Sequence, residues 1–381
     1  MTGVEDKYNS QGSKFFMPIQ FVAALLEEAL FFCTDAFALV MFCDACYTLR
    51  NYIRNEVLAM RLHHNFIWST LLHFMTNWSY EEGNFGGGDP EKVWLSPASP
   101  KMRFDYDLYR QHLQDLKAAG VNAIIVDLGD AMIYKSHPEI AVEGAFTYDE
   151  MKAELDYMNE MGFEVIPKLN FSTAHDIWMK EYSRMVSTPL YYKVVEDLID
   201  EVCELFEPRF IHLGLDEETY EHQSKYDYAV VRQNDLWWND LYFYVRCAEK
   251  NGVRPMMWSD YARNHPEEFV EKCPKSMVQC VWYYFNQYGD DIAEMYRIRI
   301  MPIDVLEKAG FDQLPTGSIE YDFDCMPKLV DYCTDHISKE HLLGFMQTTW
   351  APIMDHWKYM LDKGNAATMD GIKVYEEKLK K

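Results

Sequence analysis

Basic charge is the scarce commodity in this chain: 36 Lys and Arg stand against 61 Asp and Glu, a formal net charge of −25. A surface of that sign repels phosphate backbones, which argues against nucleic acid as a partner. A long uninterrupted apolar run is also missing. Residues 15–47 are rich in Phe, Leu, Ala and Met, yet Glu27, Glu28, Asp35 and Asp44 break the stretch too often for a stable membrane span. The start lacks a compact basic region and an obvious small-residue cleavage site. Residues 15–62 therefore read as one or two amphipathic helices. A cytoplasmic location is favoured, with a degenerate export signal as the alternative. The nine cysteines are odd in number and suggest no disulfide framework, so reduced buried thiols are expected. Cys43 and Cys46 have CxxC spacing, but no second pair or nearby His completes a zinc site. No glycine-rich phosphate loop follows an early strand; Gly86, Gly87 and Gly88 stand alone in a loop.

What is present is a large apolar fraction, 49%, enough to build an extensive core. From residue 66 onward, short apolar runs alternate with helix-period segments. The runs are 66–74, 122–128, 164–170, 209–215, 254–259, 276–283, 313–319 and 342–349. Most are continuous rather than alternating, as parallel strands buried on both faces require. Helices are expected at 105–119, 148–161, 189–206, 228–250, 266–273, 289–309, 326–338 and 366–380. Asp105 and Thr147 stand at N-cap positions, Glu150 completes a capping box, and Gly120 and Gly162 mark stops. Eight strand–helix units predict an α/β fold, a closed (β/α)8 TIM barrel over 66–381, with residues 1–65 as an N-terminal helical extension. No linker divides 66–381.

Catalytic groups in such a barrel project from the carboxyl ends of the strands. The polar and aromatic outliers gather there: Asn77 after strand one, Asp127 and Asp130 after strand two, His175 after strand three. Strand four runs into His212, Gly214, Asp216, Glu217 and Glu218. Later strands end in Trp258 and Asp260, Trp282 and Tyr283, Tyr321, and Trp350. Two adjacent acids at a strand end repel each other. Crowding in a partly desolvated pocket is expected to raise one pKa toward what a general acid needs. Asp127 and Asp130 suit the hydroxyls of a substrate, with loop-ordering as the alternative.

His212-x-Gly214-x-Asp216-Glu217 resembles the HxGxDE signature of glycoside hydrolase family 20, the β-N-acetylhexosaminidases, and the likeness extends loosely over residues 66–381. Trp258, Trp282 and Trp350 are similar to the tryptophans that wall the family's acetamido pocket. Tyr321 falls where the family tends to place a tyrosine on the acetamido oxygen, although Tyr283 or Tyr284 could serve; His175 resembles a family histidine. The resemblance implies retaining, substrate-assisted hydrolysis of terminal β-linked N-acetylhexosamine, with no metal or organic cofactor and a carbohydrate as partner. Glu217 would be acid and base, Asp216 the group that orients the acetamide. Two features depart from the family: His73 to Trp78 contains no arginine at the end of strand one, and residues 1–65 are too short for a separate α/β domain. Two other readings stay open, a two-carboxylate glycosidase with Asp260 or Glu320 as nucleophile or base, and a non-catalytic sugar-binding barrel.

Overall fold

The computed structural model describes residues 63–78, 98–224 and 226–380. The expected N-terminal helices, Gly86–Gly88 and Cys33, Cys43 and Cys46 lie outside them. Eight parallel strands run in the order β6-β5-β4-β3-β2-β1-β8-β7. They are β1 Ile67–His73, β2 Ala123–Asp127, β3 Glu164–Lys168, β4 Phe210–His212, β5 Arg254–Trp258, β6 Val278–Cys280, β7 Thr316–Ser318 and β8 Gly344–Thr348. Parallel bridges from Gln279 to Gln313 and from Trp282 to Thr316 join β6 to β7 and close the cylinder. Each expected strand is found inside its apolar run.

The helices in chain order are α1 Tyr106–Ala118, α2 Tyr148–Glu160, α3 Pro189–Phe206, α4 Tyr220–Gln223, α5 Asp235–Lys250, α6 Asp260–Asn264, α7 Pro266–Lys272, α8 Glu294–Lys308, α9 Cys325–His336 and α10 Lys358–Leu379. Their starts obey local chemistry. Asp105 accepts from Leu108 N, and Thr147 and Glu150 satisfy each other's backbone N–H groups as a capping box. Three of the expected helices begin elsewhere, α8 at Glu294 rather than 289. Residues 228–234 are loop, because Arg232 is drawn inward to the carboxylates of Glu218 and Asp240. The last helix begins at Lys358, ahead of the expected 366. Gly364 sits inside it, where an added Cβ would lie 2.6 Å from Thr349 Cγ2.

Strand parity sorts the core into two layers. Ile67, Leu71, Ala123, Ile125, Ile166, Phe210, Met256 and Val278 fill the cylinder, while Leu72, Ile124, Val126, Val165 and Ile211 pack outward on the helices. The six cysteines of the described residues are buried free thiols, as expected. Towards the carboxyl ends the interior turns polar. His73, Asp127, Lys168 and His212 are register partners across β1 to β4, all buried.

Candidate active site

That polar layer is the floor of the site. Lys168 Nζ lies 2.8 Å from Asp127 Oδ2, and His73 Nδ1 lies 3.1 Å from the same oxygen. Burial pushes the Asp127 carboxyl up, but the Lys168 ammonium and His73 overcome it and bring it down to about 2. Burial holds His73 and His212 below the ordinary imidazole range. His212 Nδ1 accepts from Gly214 N at 3.0 Å, so the motif histidine grips the turn that follows it.

Above the floor the chain leaves β4 in a left-handed path: Gly214 has φ +75°, Leu215 φ 71° and Glu217 φ 55°. Such angles cost non-glycine residues on the order of 1–3 kcal/mol each and persist only where the surroundings impose them. A Cβ on Gly214 would stand 1.9 Å from Asn170 Oδ1. The close approach matters, because Asn170 Nδ2 donates to Asp216 Oδ1 at 3.0 Å. Asp216 and Glu217, which would face opposite ways on a strand, are turned to one partner. His175 Nε2 lies 3.4 Å from Asp216 Oδ2 and 3.2 Å from Glu217 Oε2, and its Nδ1 faces the Trp78 carbonyl at 3.3 Å. His222 Nε2 reaches Glu217 Oε1 from the other side at 3.2 Å. Glu218 is turned away: it takes the Arg232 guanidinium, Thr173 N and Trp237 Nε1.

The expected rise in pKa falls elsewhere. Burial pushes Glu217 up, but hydrogen bonds from His175 and His222 outweigh it and hold the carboxyl well below the usual range. The raised carboxyl is Asp260, pushed by burial to about 6 despite Arg263, with Asp216 and Glu217 adding to the rise.

Aromatic side chains form the opposite wall. Trp258 and Trp350 lie 6.0 Å apart, Trp350 Nε1 donates to Tyr284 Oη at 3.2 Å, and Tyr284 packs 5.2 Å from Trp282. Trp282 Nε1 donates to Asp260 Oδ2 at 2.8 Å. A cavity of about 580 Å³ opens from Glu217 between Asp260, Trp282 and Tyr321. The three expected indoles are thus gathered near the acids.

Residues 172–361 match the model of the glycosyl hydrolase family 20 catalytic domain. The chain belongs to glycoside hydrolase family 20. Among curated proteins none matches it. Solved structures similar to this family 20 barrel include a β-N-acetylhexosaminidase from Bacteroides fragilis NCTC 9343, with 12% identity and TM-score 0.53 over 79% of this chain and 65% of that one. A second, from Streptomyces coelicolor A3(2), has 12% identity and TM-score 0.52 over 79% and 63%. A third is a mutant Streptomyces plicatus β-hexosaminidase in complex with GlcNAc, with 13% identity and TM-score 0.53 over 81% and 62%. At these identities the likeness establishes the fold. This chain spans less than two thirds of the length of each.

Within this family 20 site, Asp216, Glu217, His175, Trp258, Asp260, Trp282, Tyr321 and Trp350 come together around the mouth. Four other expected residues are engaged elsewhere. Asp127 is fully enclosed by its ion pairs, and His212 is fully buried beneath the turn. Asp130 accepts from Thr76 N, Asn77 N and Asn77 Nδ2, and Asn77 also donates to Ser99 O, so this pair orders the loop after β1. Tyr283 is the clear correction: its ring packs outward on Phe285 and Tyr288 and its hydroxyl donates to Gln287 O. Inward-facing residues after β6 keep strand parity, so Trp282 and Tyr284 face the site and Tyr283 cannot. Three contributors escaped the sequence reading. Lys168 is an isolated lysine in an apolar run, a signal that was available. Trp78, which stacks 5.7 Å from Trp350, stands at a strand end like the other tryptophans. His222 lies on the four-residue helix α4, too short to leave a pattern in the sequence.

Proposed function

We propose that this protein is a retaining β-N-acetylhexosaminidase that uses the substrate's own acetamido group as nucleophile. The observation that carries this reading is the shared grip of His175 on Asp216 and Glu217 beside the indoles of Trp258 and Trp350. Asp216 is held by Asn170 and His175, so its carboxylate is preorganised to accept the acetamide N–H and to steady positive charge on the ring-closed intermediate. The acetamido oxygen attacks C1 as the glycosidic bond breaks. Glu217 gives its proton to the leaving oxygen, then takes one from the water that opens the intermediate, which restores the starting stereochemistry. Indole walls keep water from the acetamide while this happens.

The two-carboxylate reading is disfavoured by how Asp260 is held: its Oδ2 accepts from Trp282 Nε1 at 2.8 Å and its Oδ1 lies 3.7 Å from the Arg263 guanidinium, so both oxygens are tied into the wall.

The test is a chromogenic assay on β-N-acetylglucosaminides, β-N-acetylgalactosaminides and matching sugars without the acetamide. Cleavage of acetamido substrates alone is expected, and Glu217→Gln should lose about 10²–10⁴-fold in kcat with binding largely kept. A wild type that binds N-acetylglucosamine yet cleaves no aryl glycoside would favour the binding-barrel reading.

A further inference from the structure

Two imidazoles touch Glu217, and the structure holds them very differently. His175 is packed into the site, its side chain 10% exposed, with acceptor oxygens at both ring nitrogens. His222 rides on α4, a helix of four residues, and 44% of its side chain meets solvent. Thr219 caps that helix by accepting from His222 N at 3.4 Å, and its Oγ1 also lies 2.8 Å from His222 Nδ1. One threonine therefore starts the helix and aims the ring. An ionised carboxylate oxygen can only accept, so Nε2 donates to Glu217 Oε1 across the 3.2 Å between them.

Both oxygens of Glu217 are thereby covered, whereas a general acid needs one bare oxygen within reach of the leaving group. Oε2 sits against His175, which cannot withdraw without unpacking Asp216 and the loop at Trp78. Oε1 is covered only by a half-exposed ring that lines the same cavity as Asp260, Trp282 and Tyr321. We propose that His222 is a displaceable clamp on Glu217: in the free protein it occupies Oε1, and the leaving-group oxygen of a bound substrate takes its place. This rests on Glu217 being the acid of the proposed reaction.

The surroundings make the exchange productive. Apart from the two histidines, the charged and titratable groups around Glu217 include Asp216 beside it, Asp260 after β5 with Arg263 against it, and the Tyr321 hydroxyl after β7, which burial pushes up to about 12, with Arg299 lining the same cavity. Glu218 is neutralised by Arg232. Once the His222 donor leaves, burial and the neighbouring carboxyls act against a single remaining donor, His175, and Glu217 takes a proton from solvent more readily. His222 is thus a positioning residue that keeps the acid idle until the cavity is filled.

The test separates free enzyme from complex, because the pH dependence of kcat/KM reports the former and that of kcat the latter. In His222→Ala the alkaline limb of kcat/KM should move up by about one pH unit, with KM lowered, while the limb of kcat stays in place. His222→Gln, whose amide can still donate to Oε1, should restore the wild-type profile. Limbs that move together would show that His222 stays on Glu217 in the complex and would overturn the clamp. Limbs that both stay, with only a fall in amplitude, would reduce His222 to a structural residue. A second readout needs no turnover: carboxyl 13C resonances of Glu217 in the full chain, titrated with and without N-acetylglucosamine. The midpoint should rise on adding the sugar to wild type and should already be high in free His222→Ala. No rise in either refutes the clamp even in an active enzyme, whereas a rise in an inert protein refutes only the hydrolase reading.

Discussion

Strands β1 to β4 and strands β5 to β8 furnish the two halves of one barrel mouth with opposite materials. The first half supplies His73, Asp127, Lys168 and His212 in a buried register layer, then Asn170, His175, Asp216 and Glu217 above it. The second half supplies Trp258, Trp282, Tyr284 and Trp350, whose polar atoms mostly serve to hold one another or Asp260. Charge is thus fixed on one side and water is excluded from the other. The acetamido sugar of the proposed reaction, polar along its N–H and apolar at its methyl, would match such halves. The charged half is expected to govern stability and the aromatic half selectivity.

That division can be broken by substitution. The largest effect on stability is expected from Lys168→Met, which leaves the Asp127 carboxylate buried without its cation. A loss of about 3–5 kcal/mol should appear in denaturant unfolding. If stability were unchanged, the polar layer would be ornamental. Gly214→Ala comes next. Its Cβ must displace Asn170 and occupy a left-handed conformation, costing about 1–3 kcal/mol and lowering kcat through a misplaced Asp216. Unaltered kcat in a stable variant would contradict the role given to Asn170.

Trp350→Leu should do the reverse, lowering kcat/KM on acetamido substrates by roughly 10–100-fold while shifting the unfolding midpoint little, since the loss is one aromatic wall. Asp127, the other half of the buried pair with Lys168, supplies a test by pH. Its folded pKa, about 2, is depressed below the ordinary value of 3.8. Its contribution is therefore present above about pH 4 and drains away as pH falls from there toward 2. Unfolding curves of wild type and Asp127→Asn should accordingly converge in that acid window, and parallel curves would show that Asp127 is not the titrating group.

The two halves were also unequally legible. Apolar runs gave all eight strands, because parallel strands buried on both faces leave a continuous signature. The tryptophans were readable for a related reason, each standing where an apolar run stops. Charged partners were harder. Lys168 and Asp127 meet only because β2 and β3 are in register, which no local pattern reveals. Tyr283 and Tyr284 are neighbours in sequence and opposites in space, and the strand ends too close to them for parity to be read without coordinates. The pKa of Glu217 depends on His175 and on His222, the latter carried by the short helix α4 just beyond the motif. Helix α10 starts eight residues ahead of the expected 366, and its Gly364 and Gly371 make close contacts with Thr349 and Met326.

The central claim is that the substrate's acetamido oxygen is the nucleophile, steadied by Asp216 between a charged and an aromatic wall. Its most direct trial is inhibition by a thiazoline mimic of the ring-closed intermediate, measured on wild type and Asp216→Asn. Tight competitive inhibition of wild type, weakened in the variant, is the predicted result. Turnover of acetamido substrates that ignores the thiazoline altogether would contradict it.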